Sequence, residues 1–341
     1  MVFGLRLTAK WSLLCFGISL MAFSYIFSSN EPTTLFETDY GLLYQGDALF
    51  PMRFIVTIIS KYDQFEKRNA IRDTWGNRSR LEAIFGKTMV HGPLFFIGQP
   101  PNNSNVTTRE MLMEEQSKFG DVVVVNSTDT FRELTPKMFK VFNWLYEEID
   151  HKWKFQDQYL QSVNDSYYIL KADDDCFIDL FRIAKLLYGD WRFSQMSSKA
   201  DNLFYCNVIR KAYVDRNNNS KLYVPTELYR LPRYPTYCSG IAYMFDTRQL
   251  NRMLETGRQM PQLPNEDTFF TGTVAARLRI RHRQIPVKEY FQQAGHWNNG
   301  TLCRVGKGID NSRMLLHRLS PIEMRILQGC YDIWWKSFNN I

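Results

Sequence analysis

Three consecutive carboxylates, Asp173, Asp174 and Asp175, follow directly on the apolar run YYILKA at 167–172. Adjacent carboxylates repel one another and are costly to desolvate, so a triplet at the end of a buried strand calls for a compensating cation. In an open α/β sheet the carboxyl ends of the strands are where ligands bind. Hard oxygen ligands there suit magnesium or manganese, which keep positions open for a substrate's phosphates. A second reading stays open beside this one: a solvated acidic turn that caps the next helix, with Asp179 doing similar work. No Walker loop, HExxH or CxxC pattern offers a rival chemistry.

The elements that must position the triplet follow from the pattern around it. From Arg53 onward, β-rich runs alternate with amphipathic segments, which predicts an α/β fold with a mostly parallel sheet and helices on its faces. Strands are expected at 54–60, 94–98, 121–126, 167–172, 203–209, 239–245 and 313–317. Helices are expected at 65–76, 110–120, 136–149, 247–256, from Pro264 to Leu278, and after Ser320. With no internal repeat or low-complexity tract, residues 51–341 read as one domain. Hydrophobic residues at 45% and aromatics at 15% exclude intrinsic disorder, and a mean hydropathy of −0.34 excludes a multi-span membrane protein. The formal charge of +7 suits an anionic partner such as a nucleotide, nucleic acid or lipid headgroup, or serves solubility alone.

The N-terminus addresses the chain. Trp11–Phe27 holds 17 residues without a charge, at the short end of what crosses a bilayer. Arg6 and Lys10 precede it, and no Lys or Arg follows until Arg53, while Glu31, Glu37 and Asp39 do. The positive-inside rule then gives a type II topology: a cytoplasmic tail at 1–10, a signal anchor at 11–28, a stem at 29–50 and a lumenal catalytic domain at 51–341. A signal peptide cleaved near Ala22-Phe23-Ser24 is the alternative. A short anchor matches the thinner membranes of the early secretory pathway, hence Golgi or endoplasmic reticulum residence. Sequons at Asn77, Asn102, Asn105, Asn126, Asn164, Asn218 and Asn299 agree with a glycoprotein, and the five cysteines beyond Cys15 allow two bridges and one free thiol.

An ordered series of short motifs resembles the β1,3-galactosyltransferase family, glycosyltransferase family 31, which also holds β1,3-N-acetylglucosaminyl- and N-acetylgalactosaminyltransferases. Arg68, Arg72, Thr74 and Trp75 in RNAIRDTW are similar to its R-x-x-x-R-x-T-W, and FFIG at 95–98 to its F-x-x-G. DTFRELTPK at 129–137 resembles D-S-Y-x-N-L-T-x-K, with Phe131, Glu133 and Pro136 as departures that bear on donor-side hydrogen bonding. KADDD at 171–175 resembles the metal motif, YPTYCSGIAY at 234–243 the Y-P-x-Y-x-x-G-x-x-Y motif, EDTFFTG at 266–272 the E-D-V-x-x-G motif, and MLLH at 314–317 a late hydrophobic-His element.

The resemblance implies a GT-A-type, Rossmann-like glycosyltransferase fold. It implies inverting transfer of a hexose, galactose favoured, from a UDP-sugar to a glycan on glycolipid or glycoprotein, with manganese at the diphosphate. Position by position, Asp175 and His317 would be the metal ligands, and Asp173 and Asp174 would face the donor's ribose and sugar. Arg68, Arg72 and Lys137 would lie near the uridine and phosphates. Asp267 would be the catalytic base, with Glu266 beside it positioning the acceptor or the loop. A carboxylate suits that role, since the acceptor hydroxyl has a high pKa and needs a proton acceptor within hydrogen-bond reach.

Plainer readings stand beside these. Arg68 and Arg72 lie on one helix face and could pair with Glu66 or Asp73. Trp75 and Tyr237 fit core aromatics, Asp267 a helix N-terminal carboxylate, and His317 a structural imidazole. Gly240 and Gly272 suit close backbone approach near a ligand. A non-catalytic sugar-binding or chaperone-like protein and a metal-dependent phosphohydrolase or nucleic-acid enzyme are the rival classes. The first is opposed by the intact acidic motifs. The second is opposed by scattered basic residues and the lumenal address, which make nucleic acid no partner. No motif fixes the donor sugar or the acceptor.

Overall fold

In the computed structural model of the protein, residues 52–86, 90–149, 166–195, 202–285 and 315–338 are described. They belong to one compact unit, Phe50–Ile341, distinct from Met1–Leu49. The tail, anchor and stem of the sequence reading lie outside the described residues, as do Asn164 and Asn299. Among the described residues no helix is long and apolar enough to cross a membrane.

The first strand, β1 (Met52–Ile59), has apolar side chains on both of its faces, as a strand covered on two sides must. Phe54, Val56 and Ile58 enter one core, and Ile55 and Ile59 enter the other. The first core is closed by α1 (Phe65–Asp73), α2 (Arg78–Phe85), α3 (Val106–Phe119), α5 (Leu180–Gln195) and α8 (Pro321–Phe338). The second is closed by α4 (Leu134–Glu148), α6 (Leu250–Arg258) and a π-helix, Asp267–Val274, that runs into α7 (Ala275–Leu278). The strands between are β2 (Val90–Ile97), β3 (Val122–Val124), β4 (Ser166–Asp173), β6 (Leu203–Ile209), β7 (Tyr237–Asp246) and β8 (Arg281–Gln284).

The sheet order is β3-β2-β1-β4-β7-β6-β8. Strands β1 to β4 are parallel, β6 is parallel to β8, and β7 runs against both of its neighbours. The mostly parallel sheet expected from the sequence is thus present. Because β2 and β4 flank β1 on opposite sides, the chain reverses direction across the sheet there, and such a switch point opens a crevice beyond the carboxyl ends of the strands. The register places Asp173 opposite Ile59, and Ala172 opposite Ala242, so Ser239 to Ile241 of the reversed strand also stand at that edge. A second, two-stranded sheet pairs β5 (Phe177–Ile178) with β9 (Leu315–Leu316), antiparallel, just past the triplet.

Buried polar contacts tie the strand ends together. Lys137 from α4 donates to Asp129 Oδ1 (2.6 Å) and to the carbonyl of Ser60 (2.7 Å). Asp129 also accepts from the backbone N–H groups of Tyr62 (3.0 Å) and Gly98 (2.8 Å). The ends of β1 and β2 are therefore clamped on one carboxylate. A disulfide joins Cys206 and Cys238 across β6 and β7, Cys330 is also disulfide-bonded, and Cys176 is a buried free thiol. Those states agree with two bridges and one free thiol.

The clamp leaves no room at Gly98, where a Cβ would stand 2.5 Å from the Ser127 carbonyl oxygen and 2.7 Å from Asp129 Oδ1. Gly98→Ala is expected to lower unfolding free energy by about 1–3 kcal/mol, the usual cost of overpacking, read by denaturant titration. Unchanged stability would show that the clamp can give way.

Candidate active site

A cleft of about 650 Å³ lies over the carboxyl edge of the sheet, a volume in the range of small-molecule sites. Its walls include Ile59 from β1, Lys171 and Asp173 from β4, Ser239 to Ile241 from β7, and Asn265 to Asp267 before and at the π-helix. His317 and Arg318 follow β9, and Phe131, Leu134, Met138, Lys221 and Leu222 complete the lining.

The three aspartates are treated differently by their surroundings. Asp173 is partly exposed in the cleft, with Oδ1 accepting from Lys171 Nζ at 2.9 Å. Asp174 is buried, accepting from Lys67 Nζ at 2.9 Å and Ser60 Oγ at 2.8 Å. Burial pushes its carboxyl up, with the Lys67 ammonium and the Ser60 hydroxyl only partly opposing. Asp175 faces His317, whose Nε2 stands 3.2 Å from Oδ1. Burial opposes ionisation of Asp175, but the His317 imidazole and then Lys67 outweigh it and hold the carboxyl below its usual value. The acidic cap of α5 is Asp179, which accepts from the Arg182 backbone N–H at 3.0 Å, so the triplet itself is free of capping duty.

Asp175 and His317 meet because β5, which follows Asp175, pairs antiparallel with β9, which ends directly before His317, and because the Leu319 N–H donates to the Asp175 carbonyl at 3.0 Å. Among the described residues, Asp175 Oδ1 and His317 Nδ1 are buried without hydrogen-bond partners. Two ligands on neighbouring corners of an octahedral ion, each about 2.1 Å from it, are about 3 Å apart, so the Oδ1 to Nε2 separation fits a shared divalent ion. Cys176 also offers an atom there. Its thiol is pushed well above its usual pKa by burial and by the charges of Asp173 and Asp175. It stays protonated against the Ile241 carbonyl at 3.6 Å and does not suit a hard ion.

The acidic pair at the other wall divides its labour just as sharply. Glu266 is buried, with Oε1 3.0 Å from Lys171 Nζ and Oε2 accepting from Tyr243 Oη at 2.8 Å. Asp267 opens the π-helix and, among the described residues, accepts from the backbone N–H groups of Thr268 at 2.7 Å and Gly240 at 3.2 Å. Burial first, and then the Glu266 charge, push its carboxyl up to about 7. A cleft carboxylate with that pKa can take a proton from a hydroxyl near neutral pH. Gly240 permits the arrangement, since a Cβ there would lie 3.2 Å from Asp267 Oδ2. Asp267 thus opens a helix, as in the plainer reading, and does so with a raised pKa.

The remaining sequence-derived residues lie behind the cleft. Arg68 is fully buried and pairs with Glu115 (2.7 Å), with Nη1 donating to Ser60 Oγ (3.2 Å) and to the Lys61 carbonyl. Arg72 pairs with Glu115 (2.7 Å) and Asp121 (2.7 Å). Their acidic partners come from α3 and the turn after it, and neither Glu66 nor Asp73 is used by these arginines among the described residues. Arg68, Arg72, Lys137 and Asp174 do not line the cleft. Trp75 is a core aromatic whose indole N–H donates to the Cys176 carbonyl at 2.8 Å. Tyr237 is half-buried, its phenol pushed up to about 12 by burial and the Asp267 charge.

Sequence reasoning gave no role to Lys171, Lys67 or Tyr243. Lys171 carried a signal, a lone cation inside an apolar strand, which in a buried sheet must have partners. Lys67 carried none, because its partner is more than a hundred residues away.

Comparison with known proteins bears on what this cleft does. The sequence profile of a family described as Galactosyltransferase matches residues 66–286. Beta-1,3-galactosyltransferase 1 of Homo sapiens is 26% identical over 275 residues, 80% of this chain and 72% of that protein. Beta-1,3-galactosyltransferase 2 of Homo sapiens is 29% identical over 272 residues, 79% of this chain but 56% of that protein, so the chain spans little more than half of that relative. The apo-form glycosyltransferase GlyE of Streptococcus pneumoniae TIGR4 aligns with a TM-score of 0.33 and 8% identity, over 84% of this chain and 64% of that one, less than two thirds of its length. The profile match runs through well over half of the sequence, from the arginine motif past Asp267, and the chain belongs to the Galactosyltransferase family.

Proposed function

We propose that the chain is an inverting, metal-dependent transferase that moves a hexose, galactose foremost, from a UDP-sugar to a glycan hydroxyl with formation of a β1,3-linkage. The family supports a UDP-sugar donor, and the names of the two human relatives favour galactose and the linkage. The observation that carries the chemistry is the meeting in one cleft of Asp267, with its carboxyl at about 7, and His317, whose Nε2 stands 3.2 Å from Asp175 Oδ1 just behind the lining. The sheet ending at the triplet suits a GT-A-type fold. The charge asymmetry around residues 11–27 supports a type II anchor with the catalytic part in the Golgi lumen, on a glycolipid or glycoprotein acceptor.

Asp267 takes the acceptor hydroxyl's proton as that oxygen attacks the anomeric carbon. The anomeric C–O bond to the diphosphate breaks on the opposite face, its electron pair leaves with UDP, and an α-linked donor gives a β-linked product. Asp175 and His317 would hold a manganese ion, which when bound offsets the charge that builds on the departing diphosphate. Asp173, held by Lys171, presents its free oxygen to the cleft for a donor hydroxyl. Glu266 cannot compete for the proton, because both of its oxygens are engaged by Lys171 and Tyr243. Arg68, Arg72, Lys137 and Asp174 act from behind, fixing the loops that end β1, β2 and β4.

Incubating the full chain with manganese and each UDP-hexose and UDP-N-acetylhexosamine over a panel of acceptors tests the reading. Asp267→Asn is expected to lower transfer by about 10²–10⁴-fold, the usual contribution of a general base, while UDP binding by calorimetry is retained. Asp175→Ala is expected to lose manganese-dependent UDP binding along with transfer. Full transfer by Asp267→Asn removes the base assignment.

The pH profile supplies a separate check. Asp267 must be ionised to act, so kcat/KM is expected to rise with pH up to an inflection near its pKa of about 7 and to level above it. Glu266→Gln removes a neighbouring negative charge, which lowers the Asp267 pKa and moves the inflection to lower pH. An inflection that stays in place or moves upward excludes Asp267 as its source.

A further inference from the structure

Arg318 is the residue of the cleft whose chemistry and conformation stand least explained by the fold. It is exposed, lines the cleft mouth directly after His317, and makes no hydrogen bond or ion pair among the described residues. Its φ is +63°, in the left-handed region that disfavours a side chain. Glycine would fill that position most cheaply. The turn is pinned on both sides, by the β5–β9 pairing before it and by the Leu319 N–H on the Asp175 carbonyl after it. The left-handed kink therefore holds a free guanidinium at the metal end of the cleft.

The charges around it say what it meets. Lys171 is enclosed by Asp173, Glu266 and the Gly240 carbonyl, and Lys221 stands over the Phe131 ring at 5.4 Å. A donor diphosphate brings two negative charges, and rupture of the anomeric C–O bond puts a further electron pair on the β-phosphate oxygen. A divalent ion beside one ligating carboxylate leaves a net single positive charge to face them. A guanidinium next to the imidazole ligand supplies the missing positive charge and a planar fork matched to phosphate oxygens.

We propose that Arg318 is a donor-binding residue that hydrogen-bonds the diphosphate, the β-phosphate above all, and that its strained backbone is retained for this contact. The assignment rests on the UDP-sugar reading above and adds to it a residue outside every motif that led there.

Calorimetry on the full chain with manganese, using UDP and UMP as probes, separates the contributions. In the wild type UDP binds more tightly than UMP. Arg318→Gly is expected to weaken UDP about ten- to a hundredfold, as for loss of a charged hydrogen bond. The UDP-to-UMP ratio should then collapse, with the thermal midpoint unchanged or raised because the left-handed turn is relieved. Arg318→Lys is expected to restore part of the ratio. A ratio unchanged in Arg318→Gly, or an equal loss of both nucleotides with a lowered midpoint, overturns the assignment while leaving the donor reading intact. A wild type that does not bind UDP removes the donor reading and Arg318's role with it.

Discussion

A single buried ammonium holds the two halves of the cleft in register. Lys171 Nζ lies 2.9 Å from Asp173 Oδ1, 3.0 Å from Glu266 Oε1 and 2.5 Å from the Gly240 carbonyl, beneath the Tyr243 ring. Removing a charge from water costs several kcal/mol even after relaxation, and only close partners on most sides offset it. The partners come from β4, from β7 and from the residue before the π-helix, so none can shift without exposing an uncompensated charge. The same contact sets the surroundings of Asp267. By engaging Glu266 beside Asp267, it leaves one carboxylate committed to structure and the other raised in pKa at the cleft wall.

The aspartate triplet follows the same division. Three adjacent carboxylates need compensation, and the protein supplies a different partner for each: Lys171 for Asp173, Lys67 with Ser60 for Asp174, and His317 for Asp175. Two lysines match two aspartates, which leaves Asp175 and an imidazole facing each other with unmet polar atoms. Behind them, Arg68 donates to Ser60 and pairs with Glu115, which pairs in turn with Arg72 and through it with Asp121. The arginine motif thereby stiffens the floor beneath the triplet. Buried multiple pairing of this kind costs more to break than to leave, whatever its net contribution to stability.

The sheet and its covering helices were legible because their apolar periodicity is strong. MRFIVTII and LFYCNVI cannot be placed except between two cores, and both became strands. What the pattern hid has physical reasons. β8 reads RHRQ, an edge strand whose charges leave no apolar face to detect, and α2 opens on RSR. The segment after Pro264 is helical as expected, but its π geometry over Asp267–Val274 depends on tertiary packing of Phe269 and Phe270 against Phe139 and Phe142. In the site, the sequence singled out Asp175, His317 and Asp267, and the structure sets Asp175 against His317 and puts His317 and Asp267 in one cleft. Assigning Arg68, Arg72 and Lys137 to the donor overlooked Glu115, Asp121 and Asp129, partners distant in sequence that no local pattern ties to them.

The contrast between the two ends of the cleft explains why reaction type is easier to read than substrate. The end at His317 is set by a backbone pairing, β5 with β9, and the end at Asp267 by a π-helix whose far side is packed with aromatic rings. Both are rigid, and both are built from short contiguous motifs. The remaining wall comes from Phe131, Leu134, Lys221 and Leu222, contributed by a single helical turn and a long connection between β6 and β7. Side chains on such segments can change without disturbing the Lys171 contacts, so sugar and acceptor preference can vary on an unchanged catalytic floor. Galactose and its N-acetylated counterparts differ at one substituent, a difference that a few pocket contacts suffice to read. The variable wall is thus built from residues whose identity the fold does not dictate, while the Lys171 floor is built from residues that the fold cannot spare.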